Sequence, residues 1–133
     1  MKALIVDDSR AMRTILGKMV SSLGFEVITA EHGKDALQLL AAGARPELML
    51  VDWNMPEMNG FQFLQSVRSD STYATAKIVM VTTETEIERV AQALAAGANE
   101  YVMKPFTPDV IFEKLRLLGL VGAETAEGEP QGS

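Results

Sequence analysis

Five short apolar runs, each followed by a segment of helical period, restrict this chain to one kind of architecture. The runs are ALIV at 3–6, FEVITA at 25–30, LMLV at 48–51, IVMV at 78–81 and YVM at 101–103. Most lack internal alternation and are rich in branched side chains, as strands covered on both faces are. FEVITA alternates more and suits an edge strand. Between the runs, RAMRTILGKMVSSLG keeps Met12, Ile15, Leu16, Met19, Val20 and Leu23 on one face and stops at Gly24. KDALQLLAAG stops in the same way at Gly43, and a helix over 60–69 turns Phe63, Leu64 and Val67 inward. EIERVAQALAAG predicts a helix over 86–96 with Ile87, Val90, Ala91 and Leu94 on one stripe, ending at Gly97. The last helix opens with Thr107-Pro108-Asp109, an N-cap, a proline at the first helical position and an acid at the positive dipole end. Its apolar face is Ile111, Leu115 and Leu118. Strand and helix thus alternate five times, which predicts a single α/β domain: a doubly wound parallel sheet with right-handed crossovers.

After Leu118 the chain reads GLVGAETAEGEPQGS, rich in Gly and Glu. The expected division is a folded domain over 1–118 and a disordered acidic tail over 119–133. A chain of 133 residues, 47% hydrophobic, has room for one substantial core and little more. The formal net charge is −6 and the pI about 4.8, with no basic stripe, so nucleic acid is not an expected partner. The absence of cysteine removes disulfides, thiolate nucleophiles and Cys-based metal sites together. His32, the single histidine, has no second imidazole to pair with and reads as a surface loop residue. MKALIVDD is no signal peptide, and no apolar stretch approaches the roughly 18–20 residues of a membrane span. A soluble, cytoplasmic protein with no membrane partner is expected, monomeric by default.

The residues that close the strands carry the chemistry. ALIV runs into Asp7-Asp8, LMLV into Asp52, IVMV into Thr82-Thr83 and YVM into Lys104-Pro105. In a parallel sheet these ends share one edge, the crevice where open α/β folds bind ligands. Taken singly, each Asp or Thr is better read as a helix cap or turn former and Lys104 as a solvated charge; it is their agreement at all four strand ends that reverses this. Together, three carboxylates within about 4 Å would repel by roughly 4 kcal/mol per pair at an effective dielectric near 20. Either one stays protonated or a cation sits among them. A hard divalent ion held by carboxylates, phosphate oxygens and water is the usual Mg²⁺ arrangement. Lys104 can neutralise a phosphate as well as a carboxylate, and Thr82 offers a hydroxyl donor. The set suits a phosphoryl group beside a metal ion, with an Asp carboxylate as nucleophile.

VDDSRAMR, LVDWNMPEMNGFQFL, MVTTE and YVMKPF together resemble the receiver domain of two-component response regulators, most closely the single-domain chemotaxis type. The match covers roughly residues 2–118. The resemblance implies a flavodoxin-like (βα)5 sheet in the order 2-1-3-4-5. It implies that Asp52 accepts a phosphoryl group from a sensor histidine kinase. Mg²⁺ would be held by Asp8, Asp52 and the Asn54 carbonyl, with Asp7 assisting through water. Lys104 would pair with phosphoryl oxygens, and its peptide to Pro105 would be cis. Thr82 would swing toward the phosphate and Tyr101 turn inward behind it. Asn54 and Glu84 match the positions that govern water access, implying a short-lived acyl phosphate. Thr83 departs from the family's preference for Ala or Gly. Trp53, beside Asp52, is expected to report metal binding by its fluorescence. Met55 and Met58 are expected to fill gaps around the site.

As the family implies, output would run through the face made by the helix at 86–96, the strand at 99–103 and the helix at 108–118. The expected target is a flagellar motor switch protein, with a phosphatase as a further partner. Two other receiver roles use the same site: a stand-alone relay or sink for phosphate, and control of a target outside motility. A Mg²⁺-dependent phosphatase with an Asp nucleophile is a reading of another class. It is disfavoured because Asn54 stands where such an enzyme's second aspartate belongs and no cap domain is visible.

Overall fold

The computed structural model describes residues 1–121. Its strands are β1 (Lys2–Val6), β2 (Glu26–Ala30), β3 (Leu48–Asp52), β4 (Lys77–Thr82) and β5 (Glu100–Met103). Its helices are α1 (Arg10–Ser21), α2 (Gly33–Ala41), α3 (Gly60–Arg68), α4 (Val90–Ala95) and α5 (Pro108–Leu117). The strands form one parallel sheet in the order β2-β1-β3-β4-β5. That is the flavodoxin-like order.

Period-two alternation splits the apolar side chains of each strand between two layers. Ala3, Ile5, Leu48, Leu50, Val79, Val81 and Val102 face α1 and α5, where Leu16, Val20, Ile111 and Leu115 meet them. Leu4, Val6, Met49, Val51, Ile78 and Met80 face α2, α3 and α4, which supply Ala36, Leu40, Phe63, Leu64, Val67 and Ala93. The central strands read as unbroken apolar runs because both of their faces are covered.

Helix starts are fixed by side chains already visible in the sequence. Ser9 accepts from the Met12 N–H at the head of α1, and Thr107 does the same for Val110 ahead of Pro108. Asn59 and Gln62 form a reciprocal capping box on α3, with bonds of 2.8 and 2.9 Å. Arg68, at the other end of α3, donates to the carbonyls of Tyr73, Ala76 and Gly97 and to Asn99 Oδ1, all within 2.9 Å. It ties the α3–β4 connection to the α4–β5 turn. Gly97 sits there at φ +117°, and a Cβ would meet Arg68 Cγ at 2.7 Å.

Four details differ from the sequence reading. Ile15 is 44% exposed, because it falls about 100° around the helix from Leu16, outside the stripe that touches the sheet. The segment expected as one helix over 86–96 starts as a 3-10 helix, Glu84–Arg89, and becomes α-helical only over Val90–Ala95. Glu86 folds back on Thr83 as the N3 residue of a capping box at the head of this stretch, accepting from the Thr83 N–H and hydroxyl. On this short helix Val90 and Ala93 are the buried pair, while Ala91 and Leu94 face out. Finally, Leu120 and Val121 are buried against the α1/α5 layer, so the folded part runs beyond Leu118. The rest of the expected tail, 122–133, lies outside the described residues.

The register sets the site. Val6 pairs with Val51, so Asp7 and Asp52 leave neighbouring central strands side by side. The connection after Asp52 returns tightly, with the Gly60 N–H donating to the Trp53 carbonyl at 2.8 Å. A Cβ on Gly60 would lie 2.4 Å from the Asp52 carbonyl oxygen and 2.9 Å from Trp53 Cα, both backbone atoms unable to give way. Gly60→Ala is therefore expected to destabilise the fold by about 1–3 kcal/mol, read as a lowered urea midpoint with an unchanged m-value.

Candidate functional site

Asp7, Asp8 and Asp52 each bring a carboxylate oxygen to within 4.8 Å of the others at the C-terminal edge of the sheet. Asp7 is 1% exposed and Asp52 5%, while Asp8 is open to solvent. One Asp7 oxygen, Oδ1, accepts from the Ser9 N–H at 2.8 Å. The other, Oδ2, is buried and accepts no hydrogen bond from the described residues. Arg13 steadies the same corner, donating from Nη1 to the Asp7 carbonyl at 2.7 Å.

Lys104 is the ammonium placed against this cup. Its Nζ lies 3.3 Å from Asp52 Oδ1 and 3.6 Å from Asp7 Oδ2. The side chain reaches in from the end of β5, where the Lys104 N–H donates to the Thr82 carbonyl at 2.7 Å and the Lys104–Pro105 peptide is cis. One ammonium does not balance three carboxylates. Burial pushes the Asp52 carboxyl from an ordinary 3.8 up to about 6. The Asp7 charge pushes the same way, and Lys104 and the Asn54 N–H oppose both.

The other residues singled out from the sequence lie around the cup rather than in it. Thr82 ends β4 fully buried, its hydroxyl 3.5 Å from the Val102 carbonyl. Asn54 and Glu84 are both exposed to solvent. Tyr101 is half-buried on β5, with Lys114 Nζ 4.8 Å from its ring centroid. Thr83 is turned to Glu86, to which it donates from N–H at 2.9 Å and from its hydroxyl at 2.8 Å. Burial raises the Glu86 carboxyl, but the bonds from Thr85 and Thr83 outweigh it and leave the pKa lowered. Trp53 is buried, stacked on Phe61 at 5.8 Å, and Met55 is buried nearby. His32 is half-exposed at the start of α2, 3.5 Å from Asp35 Oδ2.

Sequence reasoning did not single out Ser9, Arg13, Glu86, Glu100 or Lys114. A Ser following two acids at a helix start was a readable cap signal. The Lys114 contact carried none, because it joins separate elements.

The donor set fits a hard divalent cation. Three carboxylates face one ammonium, one of their buried oxygens lacks a hydrogen bond among the described residues, and Asp8 keeps the cup open to water. All the donors are oxygens, so the site suits Mg²⁺ better than a softer metal.

The model of the response regulator receiver domain matches residues 3–116. Chemotaxis protein CheY1 of Helicobacter pylori is 49% identical over 119 residues, covering 89% of this chain and 96% of that protein. A chemotaxis protein CheY homolog of Campylobacter jejuni is 44% identical over 129 residues, covering 96% and 98%. Among solved structures, chemotaxis response regulator CheY4 of Vibrio cholerae superposes with a TM-score of 0.80 at 38% identity, covering 88% of this chain and 97% of that one.

The raised Asp52 pKa has a sign. The folded state holds the proton to about pH 6 and the unfolded chain only to about 3.8, so metal-free stability falls as pH rises between those values and stays low above. Asp52→Asn removes the repulsion. In metal-free buffer at pH 7.5 the variant should exceed wild type by about 2–3 kcal/mol in urea unfolding, and the gap should close toward pH 4.

Proposed function

The chain belongs to the response regulator receiver family, and on that premise we propose that it is a phosphorylation-controlled switch with Asp52 as phosphoacceptor. The observation that carries the reading is the convergence of Asp7, Asp8, Asp52 and Lys104 at adjacent strand ends. Asp7, Asp8, Asp52 and the Asn54 carbonyl would hold Mg²⁺. Bound there, the ion supplies a positive charge to phosphoryl oxygens that the protein alone lacks.

In the transfer, an Asp52 carboxylate oxygen bonds to phosphorus as the P–N bond to the kinase imidazole breaks. The departing electron pair returns to the imidazole nitrogen. Lys104, already within 3.3 Å of Asp52, turns from the carboxylate to the phosphoryl oxygens. Thr82 contributes a hydroxyl donor, and the exposed Asn54 and Glu84 govern the approach of the water that later hydrolyses the acyl phosphate.

The new charge acts by favouring one of two existing arrangements, with Tyr101 turning inward as the loop after Thr82 moves. Moving such an equilibrium from 1:99 to 99:1 takes about 5.5 kcal/mol, within reach of contacts from a phosphoryl group to Lys104, Thr82 and a metal ion. Output runs through α4, β5 and α5. Among the described residues, four of the six exposed large apolar side chains are on these elements: Leu94, Met103, Val110 and Leu117. A partner-binding face accounts for that exposure better than a pure phosphate sink does. The relatives named as chemotaxis proteins support a histidine kinase as donor and a flagellar motor switch protein as target; a phosphatase as a further partner and a cytoplasmic setting complete the proposal.

Intact mass after incubation with acetyl phosphate tests the chemistry. Wild type should gain one phosphoryl group only when Mg²⁺ is present, and Asp52→Asn none. A gain in the variant, or none in wild type, would remove Asp52 as acceptor. Mg²⁺ alone should also raise the urea midpoint of wild type and change Trp53 fluorescence.

A further inference from the structure

The open edge of the sheet carries a small charged assembly outside the cup. β5 is the last strand of the sheet among the described residues, and its side chains alternate between the two helical layers. Val102 packs into the α1/α5 layer and Tyr101 against the α2/α3/α4 layer. By the same alternation Glu100 belongs to the α5 side. Its Oε1 accepts the Tyr101 backbone N–H at 3.0 Å and Lys114 Nζ, from α5, also at 3.0 Å. That ammonium stands 4.8 Å from the Tyr101 ring centroid. A cation from one layer thus meets a ring from the other around the sheet edge.

An exposed Lys–Glu pair on its own contributes little. Here the acceptor is bound to the backbone of the very residue whose ring the ammonium touches. The ammonium is therefore located relative to Tyr101 itself. Lys114 and Glu100 are each about three-quarters covered, at 25% and 23% side-chain exposure, so solvent screens them less than a free surface pair. We propose that Glu100 and Lys114 are positioning residues that hold the Tyr101 ring at the sheet edge and thereby set how much activating ligand is needed to turn it inward. The proposal rests on the reading of Tyr101 as the switch residue. An exposed cation–π contact corresponds to about a two- to fivefold bias, and linkage makes the same factor appear in the apparent affinity for the activator.

The chain has two tyrosines, so labelling with 3-fluorotyrosine gives two fluorine resonances. Tyr73 is the internal reference, its buried hydroxyl donating to the Leu40 carbonyl at 3.1 Å. Beryllofluoride with Mg²⁺, a mimic of the phosphoryl group, is titrated into wild type, Glu100→Gln, Lys114→Met, the double variant and Lys114→Arg. Binding is followed by Trp53 fluorescence and ring position by the Tyr101 resonance. The expected result is a midpoint about two- to fivefold lower in Glu100→Gln and in Lys114→Met, with no further drop in the double variant. Lys114→Arg keeps the cation and should stay near wild type. A Tyr101 resonance that moves in wild type, with midpoints unchanged or raised in both Glu100→Gln and Lys114→Met, would overturn the positioning role alone. A Tyr101 resonance that stays put in wild type while Trp53 reports saturation would overturn the switch reading, and this proposal with it.

Discussion

Carboxylate repulsion across neighbouring strand ends is the constraint around which this molecule is arranged. Asp7 and Asp52 are almost fully buried, Asp8 stands beside them, and Lys104 is the one ammonium among the described residues within salt-bridge distance of the buried pair. Desolvation and mutual repulsion lift Asp52 to about 6, and one Asp7 oxygen has no hydrogen-bond donor among the described residues. An arrangement optimised for stability alone would have placed an apolar or amide side chain at one of these positions. The proposed binding of a cation and a phosphoryl group together would need the surplus negative charge, and the surrounding fold supports it.

That support comes from the two apolar layers. With β1 and β3 covered on both faces, the register fixing Val6 opposite Val51 cannot slip without turning every core side chain to the wrong layer. Asp7 and Asp52 therefore stay adjacent despite their repulsion. The loops beyond them are held by specific contacts: Ser9 and Arg13 on Asp7, the close approach of Gly60 behind Asp52, and Glu86 on Thr83. The periphery is looser. The 3-10 stretch before α4 has no buried residue, and β5 lies at the edge. A rigid centre with a less anchored rim can pass a local change in charge to one surface without disturbing the core.

Most of the fold and the cup could be read in the sequence because both depend on periodicity. Apolar runs without alternation identified the covered strands, and parallel strands put all their C-terminal residues on one edge, so Asp7, Asp8, Asp52 and Lys104 could be grouped from the pattern alone. Where packing geometry decides, the pattern failed. Ile15 belongs to the helical stripe by spacing and still faces solvent, and Leu94 does the same on α4. Leu120 and Val121 looked like tail because Gly and Glu surround them, yet they close the end of the α1/α5 layer. The contacts of Tyr101 were least legible. Lys114 reaches it around the sheet edge, and only the assembled layers bring the two together.

The most direct test of a charge surplus built for a divalent ion is the pH dependence of Mg²⁺ affinity, measured by calorimetry from pH 5 to 8. If Asp52 joins the ligand set as the carboxylate, affinity should fall about five- to sixfold from pH 6 to 5 and change little between 7 and 8. Affinity that does not vary across this range, or the absence of saturable binding, would contradict the account.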